Sequence, residues 1–234
     1  MPFGSRKRRG DPRLEEWARF AAEFELEPAD GLAETLRHRF ALGDGELTPI
    51  YALERRGQPQ LIAFDQRRLR TGPAGSVTNL RTFVAVRSES DHGAPSLRAS
   101  ARRSKAFEAL EASRSGAQRV ELPDDPGFDR SVSVFLRDVE AARATLTRPV
   151  REVLQRLLGA ADAAVGALNV THSGSLQQTT VAPSVVVGQR NLLLCLEPRQ
   201  PLPVSGLATL LVDMLSLQAA LESAHVRIEG ALLE

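Results

Sequence analysis

The sequence predicts an α+β fold in which a largely antiparallel sheet is covered by helices. Strand-like runs at residues 50–54, 61–67 and 77–87 follow one another across short turn-rich gaps, the pattern of an antiparallel meander. Two long helical patterns, at 149–158 and 205–224, carry apolar faces wide enough to cover such a sheet. The composition, 42% hydrophobic and 25% charged but only 5% aromatic, calls for a self-sufficient core packed mainly by Leu, Val and Ala.

Taken in chain order, residues 1–10 read as a disordered basic tail with no apolar periodicity, and residues 11–234 as a single α+β domain; the alternative cut falls near Gly116. Asp11 and Pro12 open a first helix, because Leu14, Trp17, Ala18, Ala21 and Phe24 recur at helical spacing. Asp30 is expected to cap a second, with Leu32, Leu36 and Phe40 on one face and Gly43 and Gly45 ending it. The strand runs come next, with loops expected at 55–59 and 71–76.

Leu97 lies on a further short strand, 104–113 reads as a helix closed by Gly116, and 119–122 as another strand. Asp124-Asp125-Pro126-Gly127 has the composition of a turn, and 131–136 alternates in the period-two manner. Asp138 is placed to cap a helix through Leu146, and Thr147 with Pro149 and Glu152 to start another, burying Val150, Val153, Leu154, Leu157 and Leu158. Extended segments are expected at 167–171, 179–187 and 191–197, the last two joined by Gly188-Gln189-Arg190. Pro198, Pro201 and Pro203 then break the chain ahead of the final helix, for a total of about five or six helices.

Cys195 is the only cysteine, so no disulfide forms within the chain, and the basic start lacks the apolar stretch of a secretory signal; both favour a cytoplasmic location. The apolar window 204–221 is interrupted by Asp213 and Gln218, which argues for a core helix and against a membrane span. The net charge of +1 divides unevenly: residues 1–117 hold 20 Lys and Arg against 16 Asp and Glu, and the remainder 10 against 13. That surplus is too small to make nucleic acid a favoured partner.

Phosphate-binding glycine loops are absent: Gly43-Asp44-Gly45 supplies two glycines, but Thr48 stands where a third belongs. No cofactor is implied. The four histidines are scattered; His172 in Thr171-His172-Ser173-Gly174-Ser175 combines a base with hydroxyls, yet no nucleophile elbow surrounds it. Asp124, Asp125 and Asp129 form the densest acidic cluster without the spacing of a calcium loop. Cys195 sits in a leucine run, where a small buried hydrophobe is expected rather than a reactive thiol.

The stretch Asp125, Phe128, Asp129, Val132, Val134, Phe135 and Asp138, followed by Ala141-Ala142-Arg143 and Leu146-Thr147-Arg148-Pro149, resembles a pattern in uncharacterised bacterial proteins of a domain-of-unknown-function family. The 191–198 strand and the final helix are similar in placement, so about the C-terminal half is covered. Members of that family are often carried behind membrane helices, a feature this chain is expected to lack. The resemblance implies structural punctuation and brings no catalytic residue with it.

Three functions stay open. The leading expectation is a non-enzymatic interaction or scaffolding module that self-associates, as a dimer, through Leu207, Leu211, Met214 and Leu215 on the final helix. The second is an anion or nucleic-acid binder using the tail and Arg55, Arg56, Arg67, Arg68, Arg70, Arg102 and Arg103. The third is a hydrolase centred on His172.

Overall fold

The computed structural model describes residues 11–54, 58–72, 75–88, 96–102, 108–109, 112–113, 116–136, 138–169, 182–197 and 202–232, the side chains at 69–78, 140, 142, 166–169 and 226–232 excepted. Its centre is one nine-stranded sheet. The strands are β1 (Glu27–Pro28), β2 (Glu46–Leu53), β3 (Gln60–Gly72), β4 (Gly75–Arg87), β5 (Leu97–Ala101), β6 (Gln118–Val120), β7 (Val132–Leu136), β8 (Ser184–Val187) and β9 (Asn191–Leu196). They lie in the order β1-β2-β3-β4-β9-β8-β5-β7-β6, and every neighbouring pair is antiparallel. The expected β2-β3-β4 meander is present, as is the β8-β9 hairpin closed by Gly188 to Asn191. Both sheet edges are very short strands, and β1 ends in a proline; these features limit pairing with another chain.

Six α-helices are described: α1 (Pro12–Glu23), α2 (Ala33–Phe40), α3 (Pro126–Ser131), α4 (Val139–Thr145), α5 (Arg148–Asn169) and α6 (Leu207–Leu232). On the first face of the sheet, α5 packs against β5 and β7 and α6 against β4 and β9. Leu154, Leu157, Leu158, Leu207, Leu210 and Met214 meet Val84, Ala99, Val134, Val185 and Leu194 there, in one continuous aliphatic cluster. Trp17 of α1 joins this cluster, edge-on to Phe20 and stacked on Tyr51. On the second face, α2 covers only the β2-β3-β4 end, over the stacked cross-strand pair Phe64 and Phe83.

Helix starts follow the sequence where a short polar side chain precedes a proline or an apolar stripe. Asp11 Oδ1 accepts from Arg13 N at 3.0 Å, and Asp138 Oδ1 from Ala141 N at 3.1 Å. Asp30 does not cap α2; it opens a short 3₁₀ turn, Asp30–Leu32, that leads into the helix without a side-chain cap. Beyond α2 the chain reverses through Ala41, Gly43 and Gly45 with positive φ. Gly45 is required on two counts: its φ is +137°, and a Cβ there would sit 3.0 Å from the Arg67 carbonyl and 2.8 Å from Arg68 Cγ.

Three further expectations are corrected. Asp124 to Gly127 is not simply a turn, because Asp125 accepts from Phe128 N at 3.0 Å and so caps α3, with Pro126 in its first turn. The 71–76 loop is largely strand instead, since β3 and β4 pair continuously out to Gly72 and Gly75; residues 73–74 lie outside the described residues. A strand at 167–171 is replaced at residues 167–169 by the end of α5: Ala161 and Val165 extend its buried stripe, and alanine-rich sequence favours helix. The expected helix at 104–113 lies largely outside the described residues.

Candidate functional site

Among the described residues, two gatherings of buried polar groups lie on opposite faces of the sheet. The first is centred on Asp65 of β3, which is fully buried. Strand alternation turns Asp65 toward α1, where Arg13 Nε donates to Oδ2 at 2.9 Å and Arg13 Nη2 to Oδ1 at 3.1 Å. Trp17 Nε1 donates to Oδ2 at 2.8 Å and the Thr82 hydroxyl to Oδ1 at 2.7 Å. Arg13 Nη1 also donates to the Leu202 carbonyl. Four donors thus fill one carboxylate, and the guanidinium ties α1 to the segment that leads into α6. No donor is left over to bind or activate a substrate. The place of Trp17 on the first helix was legible in the sequence, but neither the part played by Arg13 nor their meeting with a carboxylate on β3 was.

The second place is on the other face, beyond the reach of α2. One transverse row there runs Ser133 on β7, Ser100 on β5, Ser184 on β8 and Cys195 on β9, each in register with the next. The row continues as Phe83, Phe64 and Ile50, so the same face changes from polar to aromatic at the β9-β4 boundary. Arginines surround the hydroxyls: Arg98 Nη2 donates to Ser184 Oγ at 3.4 Å, and Arg81 Nε to Glu197 at 2.8 Å. Glu108 receives the Ser133 hydroxyl and faces Arg119 Nη1 at 3.4 Å and Arg102 Nε at 3.6 Å. Cys195 is partly exposed as a residue, yet burial of its sulfur pushes the thiol up to about 11, which keeps it protonated at neutral pH. A small buried hydrophobe was the expectation for Cys195; the sulfur is buried, but the residue as a whole is partly exposed.

Of the seven arginines singled out in the sequence, Arg55, Arg56 and Arg103 lie outside the described residues, as does the side chain of Arg70. The other three are not brought together. Arg67 and Arg68 are adjacent on β3 and so point to opposite faces: Arg67 pairs with Asp11 at 2.9 Å, while Arg68 lies over Gly43 and Gly45. Arg102 belongs to the polar face, where its companions are Arg98 and Arg119. Neither of those was singled out, because register across four strands put them there.

The final helix corrects the predicted self-association surface. Leu207, Leu211 and Met214 are 0%, 2% and 0% exposed, fully spent on the core of their own chain, and only Leu215 is partly open. The outer side of α6 is formed by Thr209, Val212, Ser216, Ala219 and Ser223, with Val212 58% exposed. This ridge carries no charge. The hydroxyls of Ser216 and Ser223 each donate to the carbonyl four residues back, at 2.9 Å in both cases, and so present no unmet donor. By length and composition Val204–His225 is apolar enough to cross a membrane, but half of that span is buried inside the protein. Asp213 is buried with it and accepts from Arg156 of α5 at 2.7 Å.

The acidic cluster is taken up by structural partners, Asp124 and Asp125 both lying against Arg151. Asp124 meets Arg151 at 2.9 Å, Asp125 caps α3, and Asp129 Oδ2 accepts from Leu122 N at 2.8 Å. Among the described residues no group of three His, Cys, Asp or Glu is arranged to hold a metal ion. His172 lies outside the described residues. His38 lines a shallow hollow with Glu34, Thr35 and Arg39, all from the same helix. No family model, no curated protein and no solved structure matches the chain, so this geometry alone supports a functional reading.

Proposed function

We propose that this protein is a binding module that self-associates through the outer ridge of α6. The observation that carries the reading is the character of that ridge. A surface helix ordinarily turns its charged residues to solvent, but over the four turns from Thr209 to Ser223 the outward positions are threonine, valine, serine and alanine. Small side chains with internally satisfied hydroxyls allow close approach of a second helix. The ridge has no charge to select a different partner, and a two-fold axis matches it to itself.

Magnitudes bound the strength of this contact. The ridge is about 21 Å long at 1.5 Å per residue, and a strip about 10 Å wide buries roughly 400 Å² over two copies. Stable dimers bury about 1,200 Å² or more, so the contact by itself supports a weak, concentration-dependent association. Sedimentation velocity across the micromolar range tests this. The sedimentation coefficient should rise with concentration for the unaltered chain and stay at the monomer value for Val212→Arg and Ala219→Arg. A strict monomer at every concentration overturns the proposal, as does an association unchanged by both substitutions.

A further inference from the structure

We infer that Arg102, Arg119 and Ser133 form a binding site for a phosphoryl dianion, occupied in the free chain by the carboxylate of Glu108. This inference is independent of α6 and lies on the opposite face of the sheet. Three segments converge on Glu108: Arg102 follows β5, Arg119 belongs to β6 and Ser133 to β7. The Glu108 side chain is 10% exposed and those of the two arginines 28% and 20%, so the cradle is lined by groups that still reach solvent.

Glu108 fills the cradle incompletely. Two guanidinium ions face one carboxylate, and the contacts of 3.4 Å and 3.6 Å are well beyond the roughly 2.7–2.9 Å of a tight charge-assisted hydrogen bond. Asp129 does not make up the shortfall. Its carboxylate is engaged by Leu122 N, and it is its backbone carbonyl that accepts from Arg102 Nη1 and Arg119 Nη2. Glu121 approaches Arg119 Nη1 at 3.6 Å but is 72% exposed, a rim contact screened by water. Arg119 Nε is buried and has no hydrogen-bond acceptor.

These facts favour a larger and more highly charged acceptor than a carboxylate. A planar group with two oxygens engages Ser133 and leaves both arginines at arm's length. A phosphoryl dianion has three terminal oxygens and twice the charge, enough to serve the Ser133 hydroxyl, Arg102 and both Nε and Nη1 of Arg119 together. Neighbouring Arg98 and Ser184 extend the same polar floor along β5 and β8. On this reading Glu108 is a competitor that holds the arginines in place until the ligand displaces it.

The test is titration calorimetry with inorganic phosphate and, separately, with O-phosphoserine, on the unaltered chain, Glu108→Ala and Glu108→Ala combined with Arg119→Gln. Glu108→Ala should bind at least one of the two about tenfold tighter than the unaltered chain, the worth of one strong hydrogen bond, and the double variant should lose the gain. A preference for O-phosphoserine identifies a phosphomonoester, and a preference for inorganic phosphate identifies the free ion. Should Glu108→Ala not fold, the isosteric Glu108→Gln makes the same comparison. The unaltered chain adds a measurement independent of any variant: its melting temperature should rise with phosphate but not with chloride at equal ionic strength. A folded Glu108 variant that binds neither probe more tightly overturns the site, and so does an unchanged melting temperature.

Discussion

The two arginine–carboxylate centres, on opposite faces of one sheet, are built from the same chemistry and differ in closure. At Asp65 every carboxylate oxygen takes two donors, at 2.7–3.1 Å, and the whole assembly is covered by α1. At Glu108 the arginines stand at 3.4 Å and 3.6 Å and a buried Nε goes without an acceptor. A saturated ion pair fixes elements to one another, and its parts are worth keeping only together. An unsaturated one retains donors that a ligand can use. Among the described residues the two also differ in what packs on them: α1 and the segment before α6 lie over the first, whereas α2 stays at the β2-β3-β4 end of the second face.

That contrast can be broken most severely at its closed end. Asp65→Ala leaves the buried Arg13 charge without its partner and should cost about 3–5 kcal/mol of unfolding free energy, measured by urea denaturation. Trp17→Phe keeps most of the packing but removes one donor to the carboxylate, and the same measurement should show a loss of about 1.5–3 kcal/mol. Glu108→Gln should cost about 1 kcal/mol or less, because its arginine contacts are long, those arginines are partly solvated, and the amide oxygen can still accept from the Ser133 hydroxyl. A loss at Glu108 equal to that at Asp65 would erase the distinction between lock and cradle.

The smallest effect concerns pH. The hydrogen bond from Arg67, with a lesser one from the Arg13 backbone, holds Asp11 below its ordinary value of 3.8, and the Arg151 hydrogen bond does the same for Asp124. A carboxylate whose folded pKa is depressed contributes stability above the unfolded value and loses it as pH falls through the folded one. Asp11 is partly and Asp124 largely exposed, so the contribution is small. Denaturation midpoints followed from pH 5 downward should therefore stay nearly flat until below pH 3.8 and then fall. Arg67→Gln should flatten part of that fall.

Local order was largely legible. The first helix, the β2-β3-β4 meander, the β8-β9 hairpin and the long final helix follow from periodicity and capping, which act over a few residues. Asp125 shows the limit of such reading: aspartate before proline and glycine suits a turn and a helix start equally, and only the Phe128 amide decides between them. Leu207, Leu211 and Met214 show another. An apolar surplus spread round a helix does not reveal which side meets the sheet, so residues read as a subunit contact prove to be core, and the exposed ridge is formed by other, uncharged residues of the same helix.

By itself the sequence determined the fold class, the aliphatic core and the order of most elements, because hydrophobic periodicity and backbone capping are written within each segment. Only the tertiary structure decided which polar residues meet. Arg13 and Asp65 are 52 residues apart, and Ser133, Ser100, Ser184 and Cys195 share a row solely because their strands are neighbours in register. Side-chain direction reverses at every strand residue, so a slip of one position in any strand would carry its polar member of either centre to the opposite face. Both centres therefore depend on strand pairing between distant segments.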